Sequence, residues 1–127
     1  MAFGIARTLD APFEEALARV PVALAAEGFG VLTEIDVQAT FKKKLGVDFR
    51  RYRILGACNP AFAHEAMGHT LDVGMLLPCN VVVYETDEGA VVPAVDPMQT
   101  MAAHGDPALR TLAEQVRARL QRVIDSL

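Results

Sequence analysis

The stretch Asn80-Val81-Val82-Val83-Tyr84-Glu85-Thr86-Asp87-Glu88-Gly89-Ala90-Val91-Val92-Pro93-Ala94-Val95 decides the fold. Two apolar, Val-rich runs, Asn80 to Glu85 and Ala90 to Val95, flank Asp87-Glu88-Gly89. β-Branched side chains fit a pleated surface, and a short polar turn ending in glycine between two such runs signals a hairpin. A hairpin forces antiparallel pairing, which argues for α+β architecture over a doubly wound parallel sheet. Pro93 cannot donate to a ladder, so the second strand is expected at a sheet edge or a bulge.

Upstream, Arg51 to Cys58 reads as another strand, with Tyr52, Ile54, Gly56 and Cys58 on one face and Arg51, Arg53, Leu55 and Ala57 on the other. Asn59-Pro60 opens a helix, the asparagine as cap and the proline in the first helical position. Between that helix and the hairpin, Leu71 to Pro78 is apolar but holds Gly and Pro, and is expected to be a buried irregular segment. Met1 to Thr8 alternates loosely as a first strand, with Asp10 a candidate cap for the next helix. Phe13, Ala16, Leu17, Val20 and Leu24 share that helix's apolar face, and Pro21 predicts a kink in it. Val31 to Ile35 is a strand. A short helix over Val37 to Leu45 follows, capped by Asp36 and stopped by Gly46, with Val37, Phe41 and Leu45 as its expected buried stripe. After Asp96-Pro97, a short helical turn, Asp106-Pro107 starts a last helix in which Leu109, Leu112, Val116, Leu120, Val123 and Leu127 recur at helical spacing. No linker, repeat or low-complexity stretch interrupts residues 1–127, so a single domain is expected.

At 127 residues the chain is long enough to bury a core without a metal or disulfide. Trp is absent and aromatics make up only 6%, so that core must be aliphatic. A net charge of −4 argues against a dedicated nucleic-acid binder. No apolar run approaches the ~18 residues that a membrane span needs, and no export signal is visible. Two cysteines without such a signal are expected as free thiols in a reducing cytoplasm.

Those cysteines carry the chemistry worth weighing. Cys58-Asn59 ends one strand and Cys79-Asn80 begins another. If the two strands pair antiparallel, both thiols reach the same sheet edge. A thiolate near a helix N-terminus is stabilised by the helix dipole, and Asn59 and Asn80 could donate to an anion. Buried cysteine also serves as a plain small hydrophobe. His64 falls one turn into the helix after Cys58, and Cys58, His64 and Cys79 would make a soft triad suited to zinc or copper(I), but they are one short of the four ligands of structural zinc, so no metal or other cofactor is expected. His64-Glu65-Ala66-Met67-Gly68-His69 is not a zinc-protease motif. Its histidines are five apart, about 140° around a helix. Lys42-Lys43-Lys44 with Arg50, Arg51 and Arg53 could form an anion patch or simply solvate the surface. The only serine is Ser126, at the C-terminal end, which removes a serine nucleophile.

Several segments together resemble a known family: Gly28-Phe29-Gly30 with Glu34-Ile35-Asp36, Lys43-Lys44-Leu45-Gly46, Tyr52 through Pro60, and Leu76-Leu77-Pro78-Cys79-Asn80-Val81. They are similar to the bacterial "domain of unknown function 302" family, over nearly the whole chain. The resemblance implies an α+β fold of TATA-binding-protein-like topology, with helices packed on a mixed, largely antiparallel sheet, and a homodimer. It implies no established activity.

Three readings follow. The first is a small cytoplasmic binding domain for a small molecule or anion, with its pocket at Cys58, Asn59, His64, Cys79 and Asn80. The second is a thiol redox enzyme in which Cys58 attacks and Cys79 resolves, with His64 in support. The third is a structural or interaction module with no active site.

Overall fold

A computed structural model describes residues 3–127. Five strands, β1 (Gly4–Leu9), β2 (Gly30–Asp36), β3 (Tyr52–Cys58), β4 (Cys79–Thr86) and β5 (Gly89–Val95), form one sheet in the order β1-β5-β4-β3-β2. Every neighbouring pair is antiparallel, so the α+β expectation holds and the sheet contains no parallel pair. The helices are α1 (Phe13–Ala26), α2 (Val37–Leu45), α3 (Pro60–His69), α4 (Pro97–Thr100) and α5 (Pro107–Asp125). Among the described residues, no helix is long and apolar enough to cross a membrane.

Strand alternation sends one set of side chains inward. Leu55 and Ala57 of β3, Val81 and Val83 of β4, and Val92 and Ala94 of β5 are buried together. Phe13, Ala16, Val20 and Leu24 of α1 and Val116, Leu120, Val123 and Ile124 of α5 cover them. α5 has the clearest apolar stripe, and its start is fixed by Asp106, whose Oδ1 accepts from Ala108 N at 2.8 Å, while Pro107 fills the first helical position. Asp96, the one buried charged residue among those described, caps α4 through Met98 N and pairs with Arg117 Nε at 3.2 Å. That pair ties the end of the hairpin to α5. The second cluster, around Val73, Met101, Leu109 and Leu112, joins the main one through Phe62 and Leu77.

Side chains of the opposite parity meet a different fate. Tyr52, Ile54, Val82, Tyr84, Val91 and Pro93 are only half-buried. A broad depression of about 650 Å³ runs over this face, bordered by Tyr52, Val82, Tyr84, Val91 and Pro93. Aromatic contacts extend it toward α2: Tyr84 stacks on Tyr52, Tyr52 lies 6.2 Å from Phe49, and Phe49 meets Phe41 edge-on.

Several local expectations are corrected. Pro93 lies on an interior strand, between β1 and β4. The β4–β5 ladder tolerates it by breaking there, stepping from Val81↔Ala94 to Tyr84↔Val91. Asp10 does not cap α1. Pro12 takes the cap position and no side chain bonds to the helix end, because Ala11 turns into the core first. Pro21 sits on the exposed side of α1, which continues past it as one helix rather than two, as expected. The stripe of α2 is not buried: Leu45 is 68% exposed, since no layer packs over that helix. Leu71–Leu76 is a 3-10 helix that buries Val73 alone and leaves Leu71 and Met75 more than four-fifths exposed, because i, i+3 geometry turns just one side chain inward.

Leu120 is fully buried between α5 and the sheet, so Leu120→Ala is expected to cost about 2–5 kcal/mol. Val22→Ala, at an exposed position of α1, is expected to stay within about 0.5 kcal/mol. Urea denaturation followed by circular dichroism reads both, and equal costs would contradict the burial described here.

Candidate functional site

The site forms where β3 ends and β4 begins. β3 stops at Cys58 because Asn59 turns the chain into α3: its Oδ1 accepts from Phe62 N at 3.4 Å and Pro60 pre-sets the first helical φ. β4 starts at Cys79, directly after the Leu77-Pro78 cis bond. A register pairing Ala57 with Cys79 sets Cys79 beside Ala57 on the core face, with Cys58 one residue further along. Gly56 makes the approach possible. A Cβ there would lie 2.2 Å from Thr33 Oγ1 and 2.8 Å from Pro78 Cγ, so only glycine lets the proline ring close over β3.

Both cysteines are free thiols, and both border one cavity of about 20 Å³. That is the room of a single water molecule. Cys58 is half-buried and Cys79 is buried. The remaining wall is apolar, with Phe29, Phe62, Leu77, Met101 and Leu112 among its members. Burial pushes the Cys79 thiol up from 9.0 to about 11, and the neighbouring Cys58 adds to the rise.

The five residues singled out from the sequence divide. Cys58, Asn59 and Cys79 border the cavity. His64 projects from α3 as an exposed residue and is not part of the cavity wall. Asn80, one position beyond Cys79, points to the other side of the sheet and borders the open depression instead. Asn59 is committed to its cap, and its Nδ2 also lies over Gly28, whose φ of 85° and missing Cβ leave room for it. Arg119 of α5 stands 5.3 Å from the Phe62 ring centroid and donates to Glu27 O at 3.0 Å, close beside Gly28. Cation–π placement of this kind holds the guanidinium over Phe62, one of the wall residues. Met101 and Leu112 come from the far end of the chain. Leu112 lay on the visible stripe of α5, whereas Met101 sits between two short helical turns with no periodic signal.

Half of the basic stretch is taken up in ion pairs. Lys42 pairs with Asp48 at 3.0 Å, Arg51 with Glu14 at 2.6 Å, and Arg53 with Glu34 and Asp36, while Arg50 donates to Glu85 O. These are exposed pairs worth at most about 1 kcal/mol each. The carboxylates neutralise Lys42, Arg51 and Arg53 locally.

The raised Cys79 thiol has a consequence for stability. The folded chain holds a proton that the unfolded chain loses first, so the contribution is complete below pH 9 and is lost as pH rises from about 9 to about 11. The total is on the order of 3 kcal/mol. Equilibrium unfolding across this range is expected to show a steeper loss for the native sequence than for Cys79→Ala. Parallel slopes would mean that the thiol is not buried.

Residues 5–127 match the family described as "Domain of unknown function DUF302". Among solved structures, the fold is similar to that of the uncharacterized conserved protein DUF302 from Bacillus stearothermophilus. The two share 31% sequence identity over 98% of each chain, with a TM-score of 0.90. No curated protein matches. The chain belongs to the DUF302 family.

Proposed function

We propose that this member of the DUF302 family is a small binding domain whose ligand site is the crevice shared by Cys58 and Cys79. The observation that carries the reading is the cavity itself: two free thiols from different strands border one space beneath a capped helix N-terminus. Its volume limits the ligand to one or a few atoms unless Phe62 and Leu77, both only partly buried, swing aside. The apolar wall lowers the local dielectric and strengthens any polar contact made inside. Free, adjacent thiols suit a reducing compartment, in keeping with a cytoplasmic location.

The redox alternative is less well supported. A resolving thiol must become a thiolate to attack, and Cys79 is held protonated by its burial.

A second reading concerns assembly. The half-buried apolar face over Tyr52, Val82, Tyr84, Val91 and Pro93 favours a homodimer in which two such faces meet. Five strands about 4.8 Å apart and roughly 20 Å long present on the order of 500 Å² in projection. Rough side-chain relief brings that toward the ~800 Å² per partner of a stable interface.

Native mass spectrometry of gently purified protein tests both readings. The expected result is a dimer carrying a low-mass adduct, with Cys58→Ala and Cys79→Ala losing the adduct and Tyr84→Lys losing the dimer. Adduct-free native protein would sink the binding reading, and a monomer at micromolar concentration would sink the dimer.

A further inference from the structure

We infer that the shared cavity is a binding site for a soft monovalent d10 cation, copper(I), held by Cys58, Cys79 and Met101. The inference rests on the binding reading above and narrows its ligand. Three sulfur-bearing side chains, from the end of β3, the start of β4 and the turn after α4, border the same space. The space is single-atom in scale, about 20 Å³. No carboxylate or imidazole borders it, and Asn59 is its one polar side chain.

Ligand chemistry follows from that inventory. Thiolate and thioether donors without nitrogen or oxygen select copper(I) over magnesium, calcium or manganese. Zinc is disfavoured because its structural sites take four ligands, usually thiolate or imidazole, and only two thiolates are present. Copper(I) is content with two or three sulfurs. Binding exchanges protons for metal: each thiol releases one proton, two copper–thiolate bonds form, and the thioether of Met101 donates a lone pair without losing a proton. The product carries one net negative charge, and Arg119 lies over Phe62, a residue of the cavity wall, as the cation on that side.

Burial suits the site to retention. Cys79 and Met101 are 7% and 3% exposed, while Cys58 is half-buried and provides the point of entry. Cys58, the most exposed of the three, would be the first sulfur a cation from solvent could reach. Water is kept from the metal by the surrounding apolar wall, which also protects copper(I) from oxidation.

The test is titration of the reduced full-length protein with copper(I) in the presence of a chromophoric copper(I) chelator, under anaerobic conditions. About one equivalent is expected to be withdrawn from the chelator, with Cys58→Ala or Cys79→Ala abolishing the withdrawal and Met101→Leu weakening it by about tenfold or more. X-ray absorption of the loaded native protein needs no variant to fold. It is expected to show sulfur neighbours only, and one fewer in Met101→Leu. Failure to compete, or nitrogen and oxygen neighbours around the metal, overturns the copper assignment. If a different adduct is then present on the native protein and depends on both cysteines, the binding reading stands and only the cation is wrong. If neither copper nor any adduct is held, both fall together.

Discussion

The pairing of β3 with β4 is the constraint on which the rest depends. One register, with Leu55 opposite Val81, Arg53 opposite Val83 and Ala57 opposite Cys79, sets three properties at once. It aligns the buried side chains of the two central strands under α1 and α5. It places Tyr52 against Tyr84 on the other face, where their rings stack. It also brings the end of one strand to the beginning of the next, so that two thiols distant in sequence become neighbours. Because side chains alternate with a period of two, a slip of one residue would exchange Leu55 and Val81 for Ile54 and Val82 and dissolve all three. Gly56 and Pro78 guard against that slip, since the ring fits only where the side chain is missing.

Most of the fold was legible in the sequence because its signals are local. Caps at Asp36, Asn59, Asp96 and Asp106 and the prolines that follow three of them mark helix starts, and each marked start is realised. The hairpin at Asp87 to Gly89 fixed antiparallel pairing through turn chemistry alone. What failed were inferences that need knowledge of neighbours. Pro93 looked like an edge residue, yet the β1 strand from the other end of the chain pairs beyond it. The Val37-Phe41-Leu45 stripe has correct spacing for a core helix, but periodicity says which side chains share a face and not what lies against that face. Asn80 was grouped with Cys79 by adjacency, although adjacency along a strand means opposite faces. The thiol pair was within reach of topology. The third sulfur, from Met101, was not, because nothing periodic leads from Pro97 to His104.

The sheet has two apolar faces and one layer of core. β3 and β4 read as near-continuous apolar runs, which is the usual composition of strands covered on both sides. Here helices α1 and α5 supply one cover. The other face retains tyrosines and branched residues rather than the charged side chains that solvent-facing strands carry elsewhere. A large aromatic with a polar tip tolerates partial exposure better than an aliphatic residue does, and the stacked Tyr52–Tyr84 pair sits where that tolerance is needed. The face is therefore built to survive in water and still gain from being covered.

The thiol corner and the open face lie on opposite sides of the same strands, and they share residues in register. Gly56 faces the open side while Ala57 faces the cavity, and Asn80 and Cys79 divide in the same way. The ladder holds neighbouring backbones about 4.8 Å apart, and successive side chains leave each strand on opposite faces. Pro78 packs where a side chain at Gly56 would be, directly before Cys79, and Asn80 follows at the rim of the depression. The cavity and the exposed sheet are thus built on the same two strands, with Cys79 and Asn80 adjacent in the chain and facing opposite ways.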